Sequence, residues 1–230
     1  MLAALSFGPS VARGDGAWVE LSALDAWRRP TTNWERVGKT ALDAKNQRKL
    51  DATPGAGVIT NGRTGRGINL VSKRSFGDVE VHAEFMIPKG SNSGIKLEEV
   101  YEIQIFDSHD AKTLTASHCG GVYPRAELLP TYHHIDQGYP PKVNACKPPG
   151  EWQTLDIVFR APRFDVSGKK TANARFVSVK LNSQVVQENL DLPTPTGNNW
   201  RNTEHPTGCI LLQGDHGAVA FRHVRARPLP

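Results

Sequence analysis

Val79-Glu-Val-His-Ala-Glu-Phe-Met86 and Tyr101-Glu-Ile-Gln-Ile-Phe106 decide the fold of this chain. In the first run, Val79, Val81, Ala83 and Phe85 fall on one side, and Glu80, His82, Glu84 and Met86 on the other. In the second, Tyr101, Ile103 and Ile105 oppose Glu102, Gln104 and Phe106. A period of two marks a half-buried strand, because successive side chains leave opposite faces. Residues 152–160, 175–181 and 208–212 are also strand-like, and helical periodicity is almost absent. Short strands separated by Gly, Pro and Asn turns predict an all-β sandwich or barrel. Asn182-Ser183 reads as a hairpin turn, although it lacks the glycine such turns favour.

The 230 residues suit one domain, and no linker or internal repeat divides them. A net charge of +5 invites a nucleic-acid reading. The basic residues are scattered and form neither a stripe nor a known module, so a solvated basic surface is expected instead. Nothing approaches the ~18 apolar residues of a membrane span. Residues 1–12 are weakly apolar and end in Ser10-Val11-Ala12, like a small-residue cleavage site, but lack the charged start of a full leader. They read as a signal-peptide remnant or a disordered end, with the domain proper over 13–230.

The three cysteines leave two readings open. In an exported, extracytoplasmic protein, Cys119 and Cys146 would pair across a loop-rich stretch and leave Cys209 in a strand. In the cytosol all three would be small core residues. Two long irregular stretches interrupt the strands. Residues 108–149 hold both candidate disulfide cysteines and several histidines, and stretches of this length commonly serve as lids or binding loops. Residues 193–206, with Trp200 and His205, are expected at a cleft rim.

Strand parity puts Glu102 and Gln104 on one face, where a carboxylate and an amide can grip a polyhydroxylated ligand. Glu84 would join them if its strand pairs with theirs. For Glu80 and His82 a solvated outer face is the better reading. Gln213, Asp215 and His216 crowd a glycine-flanked turn, Leu212-Gln-Gly-Asp-His-Gly217. A carboxylate beside a histidine can fix its tautomer for acid/base work; alternatively Asp215 simply hydrogen-bonds its own turn. No zinc spacing, phosphate-cradling loop, nucleophile elbow or dinucleotide fingerprint is present, which leaves no certain cofactor and at most a loosely assembled His/Glu site for a divalent ion.

These motifs add up to a resemblance. Phe76-Gly-Asp-Val-Glu80, Ser91-Asn-Ser-Gly94, Tyr101-Glu-Ile-Gln-Ile105, Cys119-Gly-Gly-Val-Tyr123, Val143 to Gln153, Leu212 to Gly217 and Phe221-Arg222 occur in order. Together, from about Trp18 to Leu229, they resemble the 3-keto-disaccharide hydrolase domain family. The chain departs from that pattern at His223, where an asparagine often stands, at Ser183 for a turn glycine, and in a longer 123–139 stretch. The resemblance implies a concanavalin A-like jelly-roll β-sandwich, typically exported, that cleaves glycosides already oxidised to a ketone at C3.

The ketone acidifies the C2 hydrogen, so a base can remove it and the enolate can expel the C1 oxygen. Motif membership and parity then imply that Glu102 and His216 together supply the acid/base functions, with Asp215 orienting His216. Asn92, Gln104 and Gln213 would hold the sugar, and Glu84 or a divalent ion would assist near the enolate. The partner is an oxidised sugar or glycoside. Two other readings compete. A non-catalytic carbohydrate-binding module uses the same sandwich. A laminarinase-like hydrolase of ordinary glucans needs carboxylates about 5 Å apart, whereas Gln104 stands two residues beyond Glu102.

Overall fold

The structure is a computed structural model that describes residues 16–62 and 65–230. The expected leader at 1–12 lies outside the described residues.

Sixteen strands follow in chain order: β1 Val19–Glu20, β2 Glu35–Leu42, β3 Leu50–Thr60, β4 Leu70–Phe76, β5 Val79–Met86, β6 Asn92–Leu97, β7 Tyr101–Phe106 and β8 Ala126–Glu127. The rest are β9 His133–His134, β10 Gln153–Arg160, β11 Arg163–Phe164, β12 Lys170–Ala172, β13 Ala174–Leu181, β14 Gln184–Leu192, β15 Gly208–Leu212 and β16 Ala220–Pro228. They pair antiparallel into an eight-stranded sheet, β14-β13-β10-β5-β16-β3-β2 with β1 against β16, and a four-stranded sheet, β4-β15-β6-β7. The small pairs β8–β9 and β11–β12 lie outside both.

The period-two runs explain why these sheets stack. Val81 and Phe85 of β5, with Ile157 and Phe159 of β10, share one buried cluster with Ile95 of β6, Tyr101 and Ile103 of β7, and Leu212 of β15. Tyr101 meets Phe159 across the sheets with ring centroids 5.4 Å apart. Each large side chain removed from water contributes roughly 1.5–3 kcal/mol, so the two apolar faces hold the sandwich closed. This is the all-β sandwich that the alternation predicted, of the concanavalin A-like kind that the resemblance implied.

The turn at 182–183 forms without glycine. Asn182 and Ser183 both have positive φ, 50° and 68°, as a two-residue hairpin of this hand requires. Asn182 tolerates that backbone because its side chain is fully used. Its Oδ1 accepts from the Thr154 N–H at 3.0 Å, and its Nδ2 donates to the Ala145 carbonyl at 2.7 Å.

One placement corrects an expectation. β5 pairs with β10 and β16, whereas β7 pairs with β6, so Glu84 and Glu102 belong to different sheets. Alternation assigns each strand two faces but does not choose its neighbours. Glu84 instead faces out from the larger sheet.

Candidate functional site: a roofed cavity on the smaller sheet

The outer face of the smaller sheet is covered. The segment after β7 runs back along that strand's free edge. The Gly120 N–H donates to the Gln104 carbonyl at 2.8 Å, and the Gln104 N–H to the Gly121 carbonyl at 2.9 Å. The chain then folds over through the β8–β9 hairpin, and the 193–207 stretch closes the other side. Between sheet and cover lies a cavity of about 870 Å³. Asn92, Lys96, Glu102, Gln104, Gln213 and His216 line its floor and wall, with Tyr123, Tyr132 and Asn199 opposite.

Glu102 owes its position to three features of the sequence. Parity sends its side chain away from the core that holds Tyr101 and Ile103. Gly94, beside it on β6, leaves the space: a Cβ there would stand 2.5 Å from Glu102 Oε1. Lys96, directly opposite in register, places its Nζ 3.3 Å from Oε2. Glu102 is only 4% exposed, so burial pushes its carboxyl above the usual range, against the opposing pull of Lys96 and His216.

The turn carrying His216 is pinned from below. Buried Asn61 donates from Nδ2 to the carbonyls of Gly214 and Gly217, at 2.7 and 3.1 Å, and accepts from the Val219 N–H. Side chains at 214 and 217 would collide, the first with the Ile68 carbonyl and the Trp34 ring, the second with Ser91 Oγ. The glycines are therefore required by close approach. Asp215 Oδ1 lies 2.5 Å from His216 Nδ1, while Asp215 Oδ2 accepts from Asn69 Nδ2 at 3.3 Å. A carboxylate on Nδ1 holds the proton there and leaves Nε2 as the basic nitrogen.

Asn92 Oδ1, Gln104 Oε1 and Gln213 Oε1 are buried without a protein hydrogen-bond partner, and all three residues line this cavity. Buried amides are normally satisfied, and an unmade bond costs about 1–3 kcal/mol. Three of them around one space provide a surface that hydroxyl donors complete.

The structure thus brings Glu102, Asn92, Gln104, Gln213, Asp215 and His216 to one cavity, as strand parity and motif membership had grouped them. Glu84 stays apart. Burial works against its charge, yet Arg222 at 2.7 Å and His223 at 2.8 Å hold its carboxyl below the ordinary range. Cys119 and Cys146 are free thiols facing each other. Among the described residues no group of three or more His, Cys, Asp or Glu is placed to hold a metal ion, so the donors do not fit the divalent site considered from the sequence.

Sequence reading expected a lid over 108–149 and a rim over 193–206, but not which side chains of the roof converge. Tyr132 Oη donates to Tyr123 Oη at 3.1 Å, and His134 Nε2 lies 3.2 Å from the same Tyr123 Oη. Burial and the Tyr123 hydroxyl push the Tyr132 phenol up. The long 108–149 stretch and the Cys119 to Tyr123 motif were the signals for this group. Glu98, also lining the cavity, is unpaired at both carboxylate oxygens. Burial first, then Glu204 and Asp78, pushes its carboxyl up to about 8.

Residues 18–227 match the model of the 3-keto-alpha-glucoside-1,2-lyase-like domain. The chain belongs to that family. A provisionally named glycosyl hydrolase from Parabacteroides distasonis is 25% identical, with a TM-score of 0.58 over 86% of this chain and 79% of its own. A second from the same organism is 20% identical, with a TM-score of 0.51 over 85% of this chain and 99% of its own; at that distance it shows the fold alone. No curated protein matches. Family membership and the first of these likenesses give the chain a carbohydrate-active, glycosyl-hydrolase-like role. Among the described residues no helix is long and apolar enough to cross a membrane.

Proposed function

We propose that this protein cleaves 3-keto-glycosides by removing the C2 proton and expelling the C1 oxygen. The observation that carries the reading is the cavity's pairing of a buried Glu102, 3.3 Å from Lys96, with a tautomer-fixed His216. His216 Nε2 takes the C2 proton, made acidic by the neighbouring ketone, and Asp215 stabilises the imidazolium that forms. Negative charge collects on the ketone oxygen. The Lys96 ammonium and the side-chain N–H groups of Asn92, Gln104 and Gln213 are the fixed donors available to it. Glu102 hands its proton to the departing C1 oxygen, and Lys96, 3.3 Å away, stabilises the carboxylate left behind. Addition of water to the resulting alkene completes hydrolysis; its release makes the reaction a lyase.

The roof supports the same reading. Tyr123, Tyr132 and Leu128 meet the part of the ligand beyond the oxidised sugar, since an apolar and aromatic wall suits an aglycone better than water. We also propose an extracytoplasmic location, consistent with the exported character of the family.

The test is turnover of a 3-keto-glucoside beside its unoxidised parent, each with and without a chelator. Cleavage of the keto substrate alone, insensitive to chelator, is expected. Equal cleavage of both sugars overturns ketone assistance. Tight sugar binding without cleavage of either makes the chain a carbohydrate-binding module, which the three unpartnered amides would serve equally well.

A further inference from the structure

Cys119 and Cys146 stand at the two ends of the segment that roofs the cavity, and both are fixed against the same short piece of backbone. The Cys119 N–H donates to Ser108 Oγ at 3.1 Å, and Cys146 Sγ lies 3.6 Å from the Phe106 carbonyl. Asn144 stitches the second end down, its Nδ2 donating to the carbonyls of Ser108 and His109 at 3.0 Å each, while its Oδ1 accepts from the Cys146 N–H at 3.3 Å. The two cysteines are therefore held against one rigid junction at residues 106–108. Their surroundings differ. Cys119 is 2% exposed, whereas Cys146 is only partly buried. Cys209, the third free cysteine, belongs to β15 and lies beside Arg28 and Ser75 instead.

We propose that Cys119 and Cys146 form a redox modification site, with Cys146 the entry thiol, at which a small-molecule disulfide closes the cavity roof into a covalent loop. The difference in burial supports the order of events, since Cys119 is buried and Cys146 only partly so. A thiolate is the nucleophile in exchange.

With glutathione disulfide as oxidant, the Cys146 thiolate attacks one sulfur, forms a mixed disulfide and expels one glutathione thiolate. That thiolate takes the Cys119 proton, and the Cys119 sulfur attacks Cys146 Sγ and expels the second glutathione. Two protein thiols lose two electrons, and one small disulfide is reduced to two thiols. The bond closes the loop that carries Val122, Tyr123 and the β8–β9 hairpin, so oxidation tethers one wall of the cavity whatever reaction proceeds inside it.

The experiment is exposure of the full chain to excess glutathione disulfide, followed by alkylation, intact mass and peptide mapping. The wild type is expected to lose two alkylatable thiols, carry no adduct and yield a 119–146 linked peptide. Its Tm should rise by roughly 6–12 °C, since a loop of this length is removed from the unfolded ensemble. Cys119→Ser should trap one glutathione on Cys146, and Cys146→Ser should leave Cys119 unmodified. Three alkylatable thiols surviving in the wild type would overturn the site. An adduct on Cys119 in Cys146→Ser at the rate seen on Cys146 would overturn the order of attack, and a linked peptide with unchanged Tm would overturn the tether.

Discussion

On the outer face of the larger sheet, Glu80 meets Arg227, Glu84 meets Arg222 and His223, and His82 meets Asp156. On the outer face of the smaller sheet, Glu102 meets Lys96, while Asn92, Gln104 and Gln213 keep buried oxygens that no protein group satisfies. Both faces grow from the same alternation of polar and apolar residues. The difference is the cover. The larger sheet's charges neutralise one another at the surface, where each pair is worth about 0–1 kcal/mol. The smaller sheet's polar groups lie beneath two irregular segments, where burial shifts a carboxyl and leaves amides waiting for a ligand. A polar strand face becomes a site when something roofs it without satisfying it.

Substitution on the roofed face should break this contrast most sharply. Glu102→Gln and His216→Ala are each expected to lower kcat on a 3-keto-glucoside by about 10²–10⁴-fold, the usual size of a lost acid or base. Retention of wild-type kcat by both variants would sink the proposed mechanism. Gly94→Ala puts a methyl 2.5 Å from Glu102 Oε1, so it should displace the carboxylate. About 10–100-fold in kcat/KM is expected to vanish while the fold, read by circular dichroism, survives.

Glu98 sharpens the same comparison through stability. Its folded carboxyl holds a proton up to about pH 8, whereas the unfolded chain releases it near the ordinary 4.5. The contribution is therefore present in full below the unfolded value and fades as pH rises through the folded one. Glu98→Gln should raise stability at pH 9 by about 1–3 kcal/mol and flatten the loss between pH 5 and 8, as urea titrations across that range would show. An identical pH profile for variant and wild type would mean that Glu98 is solvated.

Smaller effects remain. Gln104→Leu should lower kcat/KM by about 5–50-fold, because the amide both binds sugar and donates toward the charge that collects on the ketone oxygen. Glu84→Gln belongs to the opposite face and should leave kcat/KM within about twofold, with a stability change under about 1 kcal/mol. A large activity loss there would return Glu84 to the site from which the sheet order removes it.

Much of this was legible in the chain. Alternation over 79–86 and 101–106 specifies two-faced strands, and it placed Glu102 and Gln104 together because parity is a property of one strand. The glycines at 214 and 217 marked a turn that must come close to something, though not that Ile68, Trp34 and Ser91 are what it meets. The match of motifs from Trp18 onward pointed to the family. Glu84 shows the limit: its parity was right, but which strand lies beside β5 depends on the packing of the whole sandwich. The Tyr123, Tyr132 and His134 group shows the same limit in an irregular segment, where no period tells which side chains converge.

The sequence by itself determined the strand pattern, the polar faces and the residue types available for chemistry, since these follow from local geometry. Only the tertiary structure decided which polar face would be roofed and which carboxyl would be desolvated. Burial and proximity are set by residues far apart in the chain, and they are what turn a carboxylate, an imidazole or a thiol into a reactive group.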